Sequence, residues 1–187
     1  MSNDNLKNIP TDVLWGELRD REIFEDEVVV TEFDEQQVMS HTLCVELATE
    51  YMKKRSSVVL PEFYTWNSEL PDVIAFNRDC STVIECKVSR ADFLKDAKKS
   101  FRLQPNSGMG DFRYYVAPKG LIKPEELPYR WGLIEILDSG KLRKNRDAIR
   151  FIDKNIKAEY HALFYYARRA YHAGVHNTVL EYRGFDK

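Results

Sequence analysis

Seven residues, Thr82-Val83-Ile84-Glu85-Cys86-Lys87-Val88, constrain this chain more than any other stretch. Their β-branched content reads as a strand, and side chains along a strand alternate between its two faces. Ile84, Cys86 and Val88 therefore share one face, and Glu85 and Lys87 share the other. A carboxylate and an ammonium on so apolar a strand are costly to bury without partners. Something must meet them, and Asp72, which opens the neighbouring apolar run Asp72-Val73-Ile74-Ala75-Phe76, is the nearest candidate. The plainer alternative is a salt bridge between Glu85 and Lys87 on a solvated sheet face, which would contribute little.

Periodicity and punctuation place the elements around that strand. A helix begins near Asp34 or Ser40, with Leu43, Leu47, Tyr51 and Val45, Ala48, Met52 at helical spacing and Lys53-Lys54-Arg55 at its C-terminal end. A first strand runs from Ser57 through Leu60 into Glu62-Phe63-Tyr64-Thr65-Trp66, and Asn67-Ser68 makes a turn into the Asp72 strand. Asn77-Arg78-Asp79 turns into the third strand, so hairpins are expected. Ser89 and Asp92 fit a capping box opening a helix to about Lys99 or Ser100. Strands over Phe112–Ala117 and Trp131–Leu137 follow. A long helix over 153–171 then presents Ile156, Tyr160, Leu163, Phe164, Ala167 and Tyr171 as its apolar face, and Gly174 ends it. This order predicts an α/β domain with a central mixed sheet flanked by helices, spanning residues 37–187 behind an acidic lead-in over residues 1–36.

Charge is uneven along the 187 residues. Residues 1–36 carry three basic side chains against eleven carboxylates, whereas 87–113 carry seven against three and 139–187 eleven against five. The last two segments are compatible with a polyanionic partner, although single lysines and arginines more often solvate helix surfaces. No apolar run approaches the ~20 residues of a membrane-spanning helix. Nor does the N-terminus combine a basic stretch with an apolar one, so a cytoplasmic protein with no membrane partner is expected. The three cysteines, Cys44, Cys80 and Cys86, form no C-x-x-C pair and read as small buried side chains.

Two carboxylates held side by side repel each other. A hard divalent cation relieves this, because it takes oxygen ligands from one or two carboxylates and keeps waters. It acidifies water and stabilises charge on a phosphoryl oxygen, while an ammonium on the same face can orient the attacking water. Asp72, Glu85 and Lys87 thus answer the needs of phosphodiester hydrolysis. Pro71-Asp72, twelve intervening residues and Glu85-Cys86-Lys87 resemble the PD-(D/E)xK motif of the restriction-endonuclease-like nuclease superfamily. The αβββαβ order of roughly residues 40–118 resembles its core. The run Ser89-Arg90-Ala91-Asp92-Phe93 resembles small bacterial and phage members, including DNA-repair-associated proteins of the MmcB type.

The resemblance implies a restriction-endonuclease-like core and a metal-dependent endonuclease. It implies that Asp72 and Glu85 bind Mg²⁺ or Mn²⁺, that the main-chain carbonyl of Cys86 completes the shell, and that Lys87 is catalytic. It also implies that Glu46 on the first helix lies near the metal, with Glu50 one turn on as a competitor and Glu62 as a further acidic neighbour. DNA is the implied partner, contacted by Arg90, Lys95, Lys98 and Lys99 on the second helix and by Arg102 and Arg113 flanking the loop Gln104–Gly110. Members that cut both strands are often dimers, so a homodimer is among the expected states, as is a protein partner for targeting. One departure is clear: the Gln-x-x-x-Tyr motif of RecB-like members is absent, since Gln104 is followed four residues on by Gly108.

Weaker signals stand beside this one. His172 and His176 have the spacing of a metal pair on a helix, but Gly174 lies between them and no third ligand is near. Tyr160, Tyr165, Tyr166 and Tyr171 could stack bases, though such spacing more often marks core or interface. Three functional expectations remain: a DNA endonuclease, the same fold retained for binding DNA or protein with little or no cleavage, and a regulator, in a phage or defence setting, acting through its acidic N-terminus.

Overall fold

The structure is a computed structural model and describes residues 39–63 and 69–174. The acidic lead-in, Tyr64 to Ser68 and His176 lie outside the described residues. Ser40 caps the first helix, α1 (His41–Lys53), its hydroxyl accepting the Leu43 N–H at 3.1 Å. Strands β1 (Val58–Pro61), β2 (Val73–Phe76) and β3 (Ser81–Cys86) follow as antiparallel neighbours, the last two joined by the short turn at residues 77–80. Ser89 caps α2 (Arg90–Asp96) through the Asp92 N–H, and a short helix, α3 (Ser100–Leu103), completes the crossover to β4 (Phe112–Pro118). β4 lies parallel to β3, β5 (Gly132–Ile136) parallel to β4, and β6 (Leu142–Arg146) antiparallel to β5. The last helix is α4 (Ile156–His172). The six strands stand in sequence order in one mixed sheet, an α/β arrangement.

The sheet is buried on both faces. α1 packs Cys44, Val45, Leu47, Ala48, Tyr51 and Met52 against Val73, Ala75, Ile84, Cys86 and Val116 on one face. On the other, Ala158 and Ala162 of α4 meet Ile74, Val83 and Met109. Phe93 of α2 joins Tyr115, Trp131 and Leu133 in a third cluster. Each fully buried Leu, Ile or Val contributes about 1.5–3 kcal/mol relative to exposure. Cys44 and Cys86 are buried as expected, and Cys80 is half-buried. No helix among the described residues is long and apolar enough to cross a membrane.

Three expectations need correction, and one strand lies outside them. β1 ends at Pro61 instead of running on through Glu62 and Phe63, because Glu62 adopts a left-handed φ of 41° while donating its N–H to the Asp72 carbonyl. α2 stops at Asp96, and Lys98 and Lys99 lie in the turn before α3. β6 has no apolar alternation to announce it, since Leu142-Arg143-Lys144-Asn145-Arg146 is a polar edge strand in which only Leu142 is buried. Most important, α4 docks through a different face from its aromatic stripe. Tyr160, Phe164 and Tyr171 are 63%, 48% and 61% exposed, and the buried residues are Ala158, Glu159 and Ala162.

A polar knot explains that choice. Glu159 accepts hydrogen bonds from the Gly110 N–H at 2.7 Å and the Ser81 hydroxyl at 2.8 Å, and pairs with Lys154 at 2.8 Å. Lys154 and Arg150 also pair with Asp111, which accepts the Ser81 N–H and whose pKa falls to about 2, these partners outweighing its burial. Two small alanines flanking Glu159 let the helix approach closely enough for this knot to close. Replacing Lys154 by Met would leave two buried carboxylates short of a cation, and the cost is about 3 kcal/mol. Urea unfolding of Lys154→Met measures this; a change below about 1 kcal/mol would contradict the role given to the knot.

Candidate active site

Strand alternation places the key groups as the residue pattern requires. Cys86 and Ile84 lie under α1, while Glu85 and Lys87 share the opposite face, with Lys87 Nζ 3.2 Å from Glu85 Oε2. Asp72 precedes β2, and its Oδ2 accepts the Cys86 N–H at 2.6 Å, which fixes the carboxylate against the backbone between Glu85 and Lys87. Its pKa is raised, first by burial and then by the negative charge of Glu85. The structure therefore brings Asp72, Glu85, Lys87 and the Cys86 main chain to one end of the sheet.

The pair is not a surface salt bridge. Glu85 and Lys87 are 2% and 4% exposed, beneath the crossover formed by α2 and α3. Arg102 Nη2 lies 2.9 Å from Glu85 Oε1, and its Nε donates to Asp96 Oδ2 at 2.7 Å. Arg102 also sits over the Trp131 ring at 4.3 Å, and Trp131 stacks on Tyr115. Tyr115 donates its hydroxyl to Asp96 at 2.6 Å. Lys99 Nζ is 2.6 Å from Asp96 and 3.7 Å from Glu85. Glu69, three residues before Asp72, accepts the Met109 N–H at 2.6 Å and lies 3.5 Å from Arg102. Glu69, Glu85 and Asp96 thus face Lys87, Lys99 and Arg102, with Asp92 at the edge of the group, 3.9 Å from Lys87.

This lattice sets the ionisation of its members. Burial disfavours the Lys87 ammonium, but Glu85, Asp96, Asp72 and Asp92 outweigh it and raise its pKa. Burial likewise works against the Asp96 carboxylate, yet Arg102, Lys99, Tyr115 and Lys87 hold it down at about 2. Burial raises the Glu69 pKa despite its bond to Met109.

The remaining expected site residues part company. Glu46 lies on the exposed side of α1, about 140° around the helix from His41. It is His41 that reaches the site, Nε2 standing 3.3 Å from Asp72 Oδ1. Glu62 is exposed and lines a cleft of about 180 Å³ with Phe63, Leu70, Pro71 and Asp72. Lys95 and Lys98 are exposed, in keeping with a surface role, and Arg90 makes a bidentate pair with Glu126 at 2.6 and 2.8 Å. Arg102 and Arg113 are not surface phosphate contacts. Arg102 is locked in the lattice, and Arg113, 0% exposed, donates to the carbonyls of Pro105 and Gly108 at 2.8 Å and Gly110 at 3.3 Å, holding the loop it was expected to flank. His172 is exposed at the end of α4.

The residue pattern missed His41, Glu69 and Asp96. Asp96 had a visible signal: it falls three residues after Phe93, on the buried side of α2. His41 had a weaker one, its place on the Val45–Ala48–Met52 stripe one turn earlier. Glu69 had none, since its partners arrive from residues 102 and 109.

No protein-family model matches the chain, and no curated protein matches it. A solved protein of unknown function from Silicibacter pomeroyi is similar in structure, with a TM-score of 0.52 and 22% identity over 81% of this chain and 100% of that one. A likeness at that identity shows the α/β fold with its mixed sheet.

Asp96 gives the site a pH signature. Its folded pKa is depressed from 3.8, so its stabilisation is complete above pH ~5 and is lost as pH falls through about 4 towards 2. Asp96→Asn should lower stability at pH 7 by about 2 kcal/mol and flatten the acid limb of a stability–pH profile. An unchanged acid limb would contradict the charge lattice.

Proposed function

We propose that this chain is a metal-dependent deoxyribonuclease of the PD-(D/E)xK type. The observation that carries the reading is the Asp72 carboxylate fixed on the Cys86 N–H beside Glu85, with Lys87 on the same face. The donor chemistry fits a hard divalent cation: Asp72 and Glu85 offer carboxylate oxygens and Cys86 a backbone carbonyl, and Asp72, its pKa raised by burial and then by the charge of Glu85, would be relieved by a cation beside it. Among the described residues no three His, Cys, Asp or Glu side chains form a ligand group by themselves, so such a site would rely on the carbonyl and on waters. Mg²⁺ or Mn²⁺ held there by Asp72, Glu85 and the Cys86 carbonyl would supply Lewis acidity towards a phosphoryl oxygen and a bound water.

The chain's own residues would do the rest. Lys87, kept charged by its carboxylate neighbours, orients water and offsets the charge that grows on the phosphate. Arg102 fixes the Glu85 carboxylate through its Oε1, and Asp96, Glu69 and Trp131 fix Arg102. Lys95 and Lys98 on the exposed side of the crossover are the candidate backbone contacts.

A second reading has its own support. Glu85 already faces three cationic groups and is almost fully buried, which suits a nuclease fold retained for binding DNA or a protein, with weak or no cleavage.

An assay on supercoiled, linear, branched and single-stranded DNA with Mg²⁺ or Mn²⁺ separates the two. The nuclease reading expects metal-dependent cleavage of at least one substrate and a loss of about 100-fold or more in Lys87→Ala. Equal cleavage by the two proteins would overturn it. Metal-independent DNA binding without cleavage would favour the binding module.

A further inference from the structure

The three cations around Glu85 are not equivalent. The Arg102 side chain is 1% exposed and Lys87 5%, each surrounded by carboxylates that would be stranded by its departure. Lys99 is 42% exposed, on the turn between α2 and α3, with Nζ near both Glu85 and Asp96. Withdrawing a buried cation from its partners is expensive, whereas a half-exposed one can return to water at small cost.

Both oxygens of Glu85 are already faced by cations: Lys87 and Lys99 lie 3.2 and 3.7 Å from Oε2, and Arg102 lies 2.9 Å from Oε1. A divalent cation that took an oxygen of Glu85 would have to displace one of them, and Lys99, the farthest and the most exposed, can leave Glu85 most cheaply. We propose that Lys99 is a tethered counter-cation that neutralises Glu85 in the metal-free protein and is displaced when a divalent metal binds. The displaced ammonium, still beside Asp96, turns from Glu85 towards a phosphate at the rim of the site, so metal loading and substrate grip are linked through one side chain. This inference deepens the proposed function and rests on it. Lys99 acts on the metal through Glu85, so it is a positioning residue.

The test is Mn²⁺ titration of the full chain, followed by the electron paramagnetic resonance of free Mn²⁺, with thermal unfolding to verify each variant. Lys99→Gln should bind Mn²⁺ about tenfold more tightly than wild type, because a competing charge is gone. Lys99→Arg should return towards wild type. Lys98→Gln removes the same charge from the neighbouring exposed position and should change affinity by less than about twofold. A side chain that merely braces the turn would leave Lys99→Gln equal to or weaker than wild type, and that result overturns the proposal. So does equal tightening in Lys98→Gln, which would reduce the effect to net charge. Asp72→Asn keeps the two failures apart: Mn²⁺ binding unaffected by Asp72→Asn condemns the metal site itself, and with it both readings. Absence of binding in wild type and Lys99→Gln alike does the same.

Discussion

A carboxylate at Glu85, buried in the middle of an apolar sheet, cannot stand alone. Moving an ion out of water costs several kcal/mol even after relaxation, so the surrounding chain must supply counter-charge with good geometry. Here that supply comes from three cations, Lys87 two residues on and Lys99 and Arg102 from the crossover, and the Asp96–Tyr115–Trp131 group orients Arg102. The path from β3 to β4 follows from this need. α2 stops early at Asp96, and the chain turns so that Lys99 and Arg102 come back over Glu85.

The same economy governs the far end of the sheet. Asp111 and Glu159 are buried acids beside Ser81, and Lys154 and Arg150 answer them. That knot decides which face of α4 meets the sheet, overriding an apolar stripe that would otherwise have been buried. The two charge clusters differ in purpose. The Asp111 cluster is closed upon itself and ties elements together. The Glu85 cluster opens on one side to Asp72, whose other oxygen faces His41, so it has a carboxylate with neighbours of mixed character at its rim.

Much of this was legible in the residue order because its cause is local. Alternation along Thr82–Val88 is a property of the strand itself, so the partition of Ile84 and Cys86 from Glu85 and Lys87 could be read directly. Ser40 and Ser89 announced their helices for the same reason. The errors came where long-range pairing overrode local pattern. Arg113 resembles a surface basic residue until three loop carbonyls gather round it, and Arg102 until Glu85 and Asp96 do. The aromatic stripe of α4 has good helical periodicity, but periodicity does not say which side a buried Glu159 will hold. Only the resemblance points to Glu46, and rotation around α1 puts His41 at Asp72 in its place.

The proposed hard-cation site joins Asp72, Glu85 and the Cys86 carbonyl at the open edge of the charge lattice. The most direct measurement is a crystal structure of the full chain soaked in Mn²⁺, with the metal located by its anomalous scattering. The account predicts one strong peak within about 2.0–2.4 Å of a carboxylate oxygen of Asp72 and of Glu85. A peak elsewhere, or none at these residues at a Mn²⁺ concentration that saturates the protein in solution, would contradict it.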